Sequence, residues 1–152
     1  FFFKQKTAYE IVDCDWSSDV CSSDLWAKDI LSMNCEMQSN NPLLTHKISE
    51  RGLYDAAWQQ AVKLGGFDAL FVNEQGHVTE GGRSSIFIKS HHSDEWLTPP
   101  LSAGVLPGVM RQALLNDPAF NAREANLTIQ EVLNAKEIML SNALRGAIKA
   151  HF

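Results

Sequence analysis

The chain has 152 residues, a net charge of -5 at pH 7 and 45% hydrophobic residues, enough for one domain with a sizeable core. Mild acidity argues against a nucleic-acid or anionic-membrane binder, which usually presents a basic face. No apolar run approaches the roughly 20 residues that cross a bilayer.

The chain opens on Phe1-Phe2-Phe3, too short for a signal-peptide core, and continues polar. Lys4-Gln-Lys-Thr-Ala-Tyr-Glu-Ile11 and Asp15-Trp-Ser-Ser-Asp-Val-Cys-Ser-Ser-Asp-Leu25 resemble, in order, the conceptual translation of two sequencing-adapter segments. A native Ser/Asp-rich leader is the alternative. Residues 1–25 are thus expected to be a non-native, disordered leader, and residues 26–152 the domain. The leader sets Lys4 and Lys6 against Glu10, Asp13, Asp15, Asp19 and Asp24, a net -3, which leaves -2 for the rest. Cys14 and Cys21 fall in the leader and match no metal or disulfide spacing. Cys35 alone remains, so neither a disulfide framework nor a metal site is expected, and a reducing, cytoplasmic location is.

Residues 29–35 predict a first strand, and Gln38 to Pro42 a turn. After Gly52, Leu53, Ala57, Ala61 and Leu64 fall at helical spacing, and Gly65-Gly66 ends that helix. Phe67 to Val72 predicts a strand, Asn73-Glu-Gln-Gly76 a hairpin turn with Gly76 left-handed, and His77 to Glu80 the return strand. Gly81-Gly82 reads as a flexible break. Ser84 to Ser90 predicts another strand, with Ile86 and Ile88 on one face. His91 to Glu95 is a polar turn, and Trp96 to Thr98 a short strand ending at Pro99-Pro100. Pro107 suits a first helical position, and that helix should run to about Leu115, before Asp117-Pro118. Ala122 to Leu127 predicts a strand, Thr128-Ile-Gln-Glu131 a capping box on a short helix, Glu137 to Ser141 a strand, and Ala147 to Ala150 the close. The pattern is α+β with a mixed sheet, not regular βαβ winding.

Several residues suggest chemistry. Lys47 follows the apolar approach Leu43-Leu44-Thr45-His46; a partly desolvated lysine can lose its proton and attack a carbonyl, although a lone lysine is more often a solvated surface group. Glu80, at a strand end, suits a protonated heterocyclic nitrogen, or is simply a strand terminus. Leu106-Pro-Gly-Val-Met-Arg111 opens a helix whose free N–H groups suit a phosphate; in isolation it is a plain helix start. Asn142-Ala143 follows a buried strand and can offer further backbone donors. Arg111 and Arg145 read as solvated, with a substrate carboxylate as the other option.

Together, Thr45-His-Lys47, Tyr54-Asp-Ala-Ala57, Glu80-Gly-Gly-Arg-Ser84, Thr98-Pro-Pro100, Gly104-Val-Leu-Pro-Gly-Val-Met-Arg111 and Asn142-Ala-Leu-Arg-Gly146 resemble the large C-terminal domain of the fold-type-IV pyridoxal-phosphate enzymes, the class IV aminotransferase family. The resemblance runs from about Ile30 to Ala150 and implies a mixed-sheet, pseudo-barrel domain. It is nearest the lyase branch, which forms 4-aminobenzoate and pyruvate from 4-amino-4-deoxychorismate and is found fused behind a synthase component. It implies pyridoxal 5'-phosphate as cofactor, a small-molecule substrate, no nucleic-acid or membrane partner, and a homodimer at full length.

It also implies roles. Lys47 would hold the cofactor covalently and shuttle protons. Glu80 would pair with the ring nitrogen. Val109, Met110, Asn142 and Ala143 would grip the phosphate. Tyr54 would stand near the cofactor's phenolic oxygen, and Arg83 and Arg145 would face the substrate. Ser85 departs from the family, which commonly has Asn there. A small N-terminal domain is expected to be missing, leaving a fragment inactive alone. The alternatives are a branched-chain or D-amino-acid transaminase and a non-catalytic binding domain of the same fold.

Overall fold

The computed structural model describes residues 31–37 and 52–151. The expected leader and the segment containing Lys47 lie outside them.

Side-chain alternation in two paired strands sets the architecture. β4 (Ser85–Lys89) and β7 (Glu137–Asn142) run antiparallel, with Ile86 opposite Leu140, Phe87 opposite Met139 and Ile88 opposite Ile138. Successive side chains point to opposite faces. Ile86, Ile88, Ile138 and Leu140 therefore join Leu70, Val78, Leu127 and Val132 in one core, while Phe87 and Met139 join Trp96, Met110, Leu114 and Phe120 in another. A sheet buried on both faces must be covered on both. This one, in the order β6-β5-β4-β7-β8, includes β5 (Trp96–Thr98), β6 (Ala122–Glu124) and β8 (Gly146–Ala150). Its second face is covered by the helix Val109–Leu115, which buries Met110 and Leu114.

Among the described residues a second sheet has three strands, ordered β1-β2-β3. β1 (Leu31–Met37) runs parallel to β2 (Ala69–Asn73), which pairs antiparallel with β3 (Val78–Gly81). The hairpin turn is as expected: Gly76 has φ 77°, and its N–H donates to Asn73 O at 2.9 Å. Helix α1 (Gly52–Lys63) lies on this sheet. Only part of its expected stripe is buried: Ala57 and Ala61 pack on Ala69 and Phe71, whereas Leu53 and Leu64 are half exposed. Two small side chains let the helix come close, and the larger residues at either end fall off the contact.

Two other boundaries shift. The helix Val109–Leu115, α2, begins after an N-cap at Gly108 with ψ 140°, so Pro107 lies outside it, and Leu101–Ala103 forms a short 3-10 turn. β6 is shorter than the expected strand. The capping box is present in full: Thr128 accepts from Glu131 N, and the Glu131 carboxylate accepts from Thr128 N, opening α3 (Ile129–Leu133). The mixed α+β character stands.

Candidate active site

A cavity of about 670 Å³ opens where the chain passes between the two sheets. β3 supplies Glu80, the crossover supplies Arg83 to Ser85, and the turn into α2 supplies Leu106 to Arg111. The β7–β8 turn supplies Ser141 to Arg145, and α1 adds Asp55 and Trp58.

Glu80 is 6% exposed. Its Oε1 accepts from the Tyr54 hydroxyl at 3.2 Å, and its Oε2 from the Leu106 N–H at 3.1 Å. Both bonds fix the orientation of the carboxylate. Tyr54 thus reaches the site through Glu80, with its ring 4.7 Å from that of Phe71.

The structure also gathers the other expected residues around this cavity. Val109 is exposed at the mouth, whereas Met110 is buried. The first bond inside α2 runs from Gln112 N to Gly108 O, so the N–H groups of Val109, Met110 and Arg111 have no partner within the helix. Asn142 Oδ1 accepts from Leu144 N at 3.1 Å and Arg145 N at 2.8 Å, which shapes the turn holding Ala143. Arg83 stands at the mouth, its guanidinium 3.5 Å over the Trp58 ring and 3.7 Å from Asp55 Oδ1. Arg145 lies 5.1 Å over the Phe67 ring. Lys47 falls outside the described residues.

Three cavity residues take a different place from the one the sequence suggested, or had none there. Arg111, which reads as solvated, is 1% exposed. Its Nη2 donates to Pro99 O at 2.7 Å and to Glu124 Oε1 at 2.5 Å, while Nε and Nη1 are buried without a partner. Ser141 Oγ is likewise buried and unpartnered. Ser141 is the register partner of Ser85, and directly opposed residues share a face. Asp68 is 2% exposed. Burial raises its pKa above 3.8, partly offset by hydrogen bonds led by Ser84. The Leu106–Arg111 motif signalled Arg111 in part; no local signal marked the other two.

The glycine pair is no hinge. Neither Gly81 nor Gly82 has positive φ. A methyl group on Gly81 would lie 2.6 Å from both Asp68 Oδ2 and Ser84 Oγ, and one on Gly82 would lie 2.9 Å from Asp68 Oδ1. Glycine is needed here for room.

The donor set fits a ligand with a basic ring nitrogen and an anionic end. Glu80 offers an oriented carboxylate for the first, and the unpartnered Arg111 and Ser141 atoms offer buried donors for the second.

Comparison with known proteins gives a consistent result. The amino-transferase class IV family pattern matches residues 21–151. A Schizosaccharomyces pombe protein provisionally named an aminodeoxychorismate lyase is 30% identical over 129 residues, covering 79% of this chain and 52% of that protein. The mitochondrial branched-chain-amino-acid aminotransferase of Rattus norvegicus is 37% identical over 90 residues, covering 54% of this chain and 23% of that protein. The crystal structure of a Legionella pneumophila protein, provisionally a 4-amino-4-deoxychorismate lyase, superposes with a TM-score of 0.72 at 30% identity, covering 78% of this chain and 45% of that one. The chain therefore spans about half the length of the lyase-named relatives it matches.

Proposed function

The chain belongs to the class IV amino-transferase family, and from that premise we propose that it is the cofactor-binding part of a pyridoxal 5'-phosphate-dependent 4-amino-4-deoxychorismate lyase. The observation that carries this reading is the Glu80 carboxylate, buried in the cavity wall and held from both oxygens by Tyr54 and Leu106. When bound, pyridoxal 5'-phosphate supplies an electron sink for charge developing on the substrate.

The chain's own residues would do the rest. Glu80 holds a proton on the ring nitrogen. The N–H groups of Val109 and Met110, the Asn142-Ala143 turn, and the free donors of Arg111 and Ser141 receive the phosphate. Lys47 anchors the cofactor and takes the substrate's proton, which leads to loss of pyruvate and formation of 4-aminobenzoate. Arg83 and Arg145, at the mouth, are suited to substrate carboxylates. On the same reading the full-length protein is a cytoplasmic homodimer.

The lyase is preferred over a transaminase on Asn142-Ala-Leu-Arg-Gly146 and on the lyase-named relatives. The likeness to a branched-chain aminotransferase makes transamination the second reading. Pyridoxal 5'-phosphate is added to the full-length protein and to its Lys47→Ala variant, and near-visible absorbance is recorded. A band that depends on Lys47 is expected; its absence overturns the enzymatic reading. Substrate assays then separate the two chemistries: the lyase releases 4-aminobenzoate, whereas a transaminase makes glutamate from 2-oxoglutarate.

A further inference from the structure

Asp68 buries a carboxylate that pairs with no cation among the described residues. Donors surround it instead. Ser84 Oγ donates to Oδ2 at 2.6 Å, Arg83 N to Oδ2 at 3.2 Å and Ala69 N to Oδ1 at 2.8 Å. The backbone N–H of Gly82 is also turned to it. Such a set suits a group that only accepts; an amide would turn its own N–H against one of these donors.

We propose that Asp68 is a positioning residue: its carboxylate is the template around which the Glu80–Ser84 crossover folds, and through that crossover it fixes where Glu80 stands. The inference rests on the reading of Glu80 as partner of the cofactor's ring nitrogen. Three further observations support it. The crossover turn closes from Gly81 N to Ser84 O at 2.7 Å, and Gly82 N reaches Ala69 O, next to Asp68, at 2.9 Å. Gly81 and Gly82 leave the carboxylate just enough space, since a Cβ on either would strike it. The backbone of Arg83 then passes the constraint on: its N–H meets Asp68, while its carbonyl accepts from Asn142 Nδ2 at 3.4 Å. One buried carboxylate thereby ties the Glu80 wall to the Asn142 turn across the cavity.

The test compares wild type, Asp68→Asn, Ser84→Ala, Glu80→Gln and the Asp68→Asn/Glu80→Gln double variant. Amide hydrogen exchange without cofactor is read by NMR, and pyridoxal 5'-phosphate affinity by titration. In Asp68→Asn the amides of residues 81–84 should exchange roughly tenfold faster or more, while those of 86–88 and 138–140 stay protected. Affinity should fall roughly tenfold, with the double variant losing clearly less than the product of the two single losses, because residues acting through one another are not additive. Ser84→Ala should shift both readouts in the same direction by less, and it decides the matter if Asp68→Asn does not fold. Unchanged exchange at 81–84, or losses that multiply in the double variant, would overturn the proposal. If wild type fails to bind pyridoxal 5'-phosphate, the reading of Glu80 falls, and the exchange data still decide whether Asp68 orders the crossover.

Discussion

Tyr54 and Glu80 meet across 26 residues of sequence, the hydroxyl of one 3.2 Å from Oε1 of the other. A donor from α1 thus aims a carboxylate at the end of β3, while the Tyr54 ring stays packed on Phe71. Tyr54→Phe keeps the ring and removes the donor. Thermal unfolding should change little, by about 1 kcal/mol, the net worth of one such bond. Pyridoxal 5'-phosphate affinity should fall about fivefold in parallel titrations; an unchanged affinity would show that Glu80 needs no such aim.

Arg111→Met removes a buried charge at similar volume. Glu124, whose side chain is 44% exposed, can return to water, so the main structural loss is the donor to Pro99 O. Urea titration should show a loss of about 2 kcal/mol. If the free Nε and Nη1 receive a phosphate, affinity of the folded variant should also drop about tenfold. A stability loss with unaltered affinity would leave Arg111 a purely structural prop.

Gly81→Ala tests room against flexibility. Its backbone lies outside the left-handed region, so alanine costs nothing in conformation, yet its Cβ would sit 2.6 Å from Asp68 Oδ2. Denaturant midpoints should report a loss of about 2 kcal/mol, and much of it should disappear in an Asp68→Ala/Ser84→Ala background, which removes both atoms the new Cβ would strike. A neutral Gly81→Ala would mean that the carboxylate yields easily.

Asp68 also gives a pH signature. Burial is the leading cause of its raised folded pKa. Between the ordinary value of 3.8 and that raised value, the folded state holds a proton that the unfolded state has released. Acidification through this window therefore favours folding at this site, and the gain is complete below the unfolded value. Urea midpoints of wild type and Asp68→Asn, taken from neutral pH towards 3.8, should move in wild type's favour as pH falls. Parallel curves would show that burial leaves Asp68 untouched.

Features written into a few adjacent residues were legible in the sequence. The Asn73–Gly76 turn and the Thr128–Glu131 capping box depend on neighbours along the chain, and both were found. Helix α1 was found as well, but its buried stripe was overestimated, because the surface it meets, Ala69 and Phe71, decides which positions count. At the site, Glu80 and the Leu106–Arg111 turn carried a motif. Asp68 and Ser141 did not, since their surroundings come from tertiary approach: the Ser84 hydroxyl reaches Asp68 from 16 residues away, and Ser141 faces Ser85 only once β4 and β7 have paired. The glycine pair was read as freedom because the Asp68 side chain that crowds it comes from a distant part of the chain.

That β4–β7 pairing joins residues 85–89 to residues 137–141, a non-local contact of the kind that forms late because a long loop must close first. Glu80 and the crossover stand before it in the chain, and the Asn142–Arg145 turn after it. The cavity is therefore complete only once this pairing has formed. Cofactor present during refolding should leave the folding rate alone and act on the reverse reaction, slowing escape from the finished pairing.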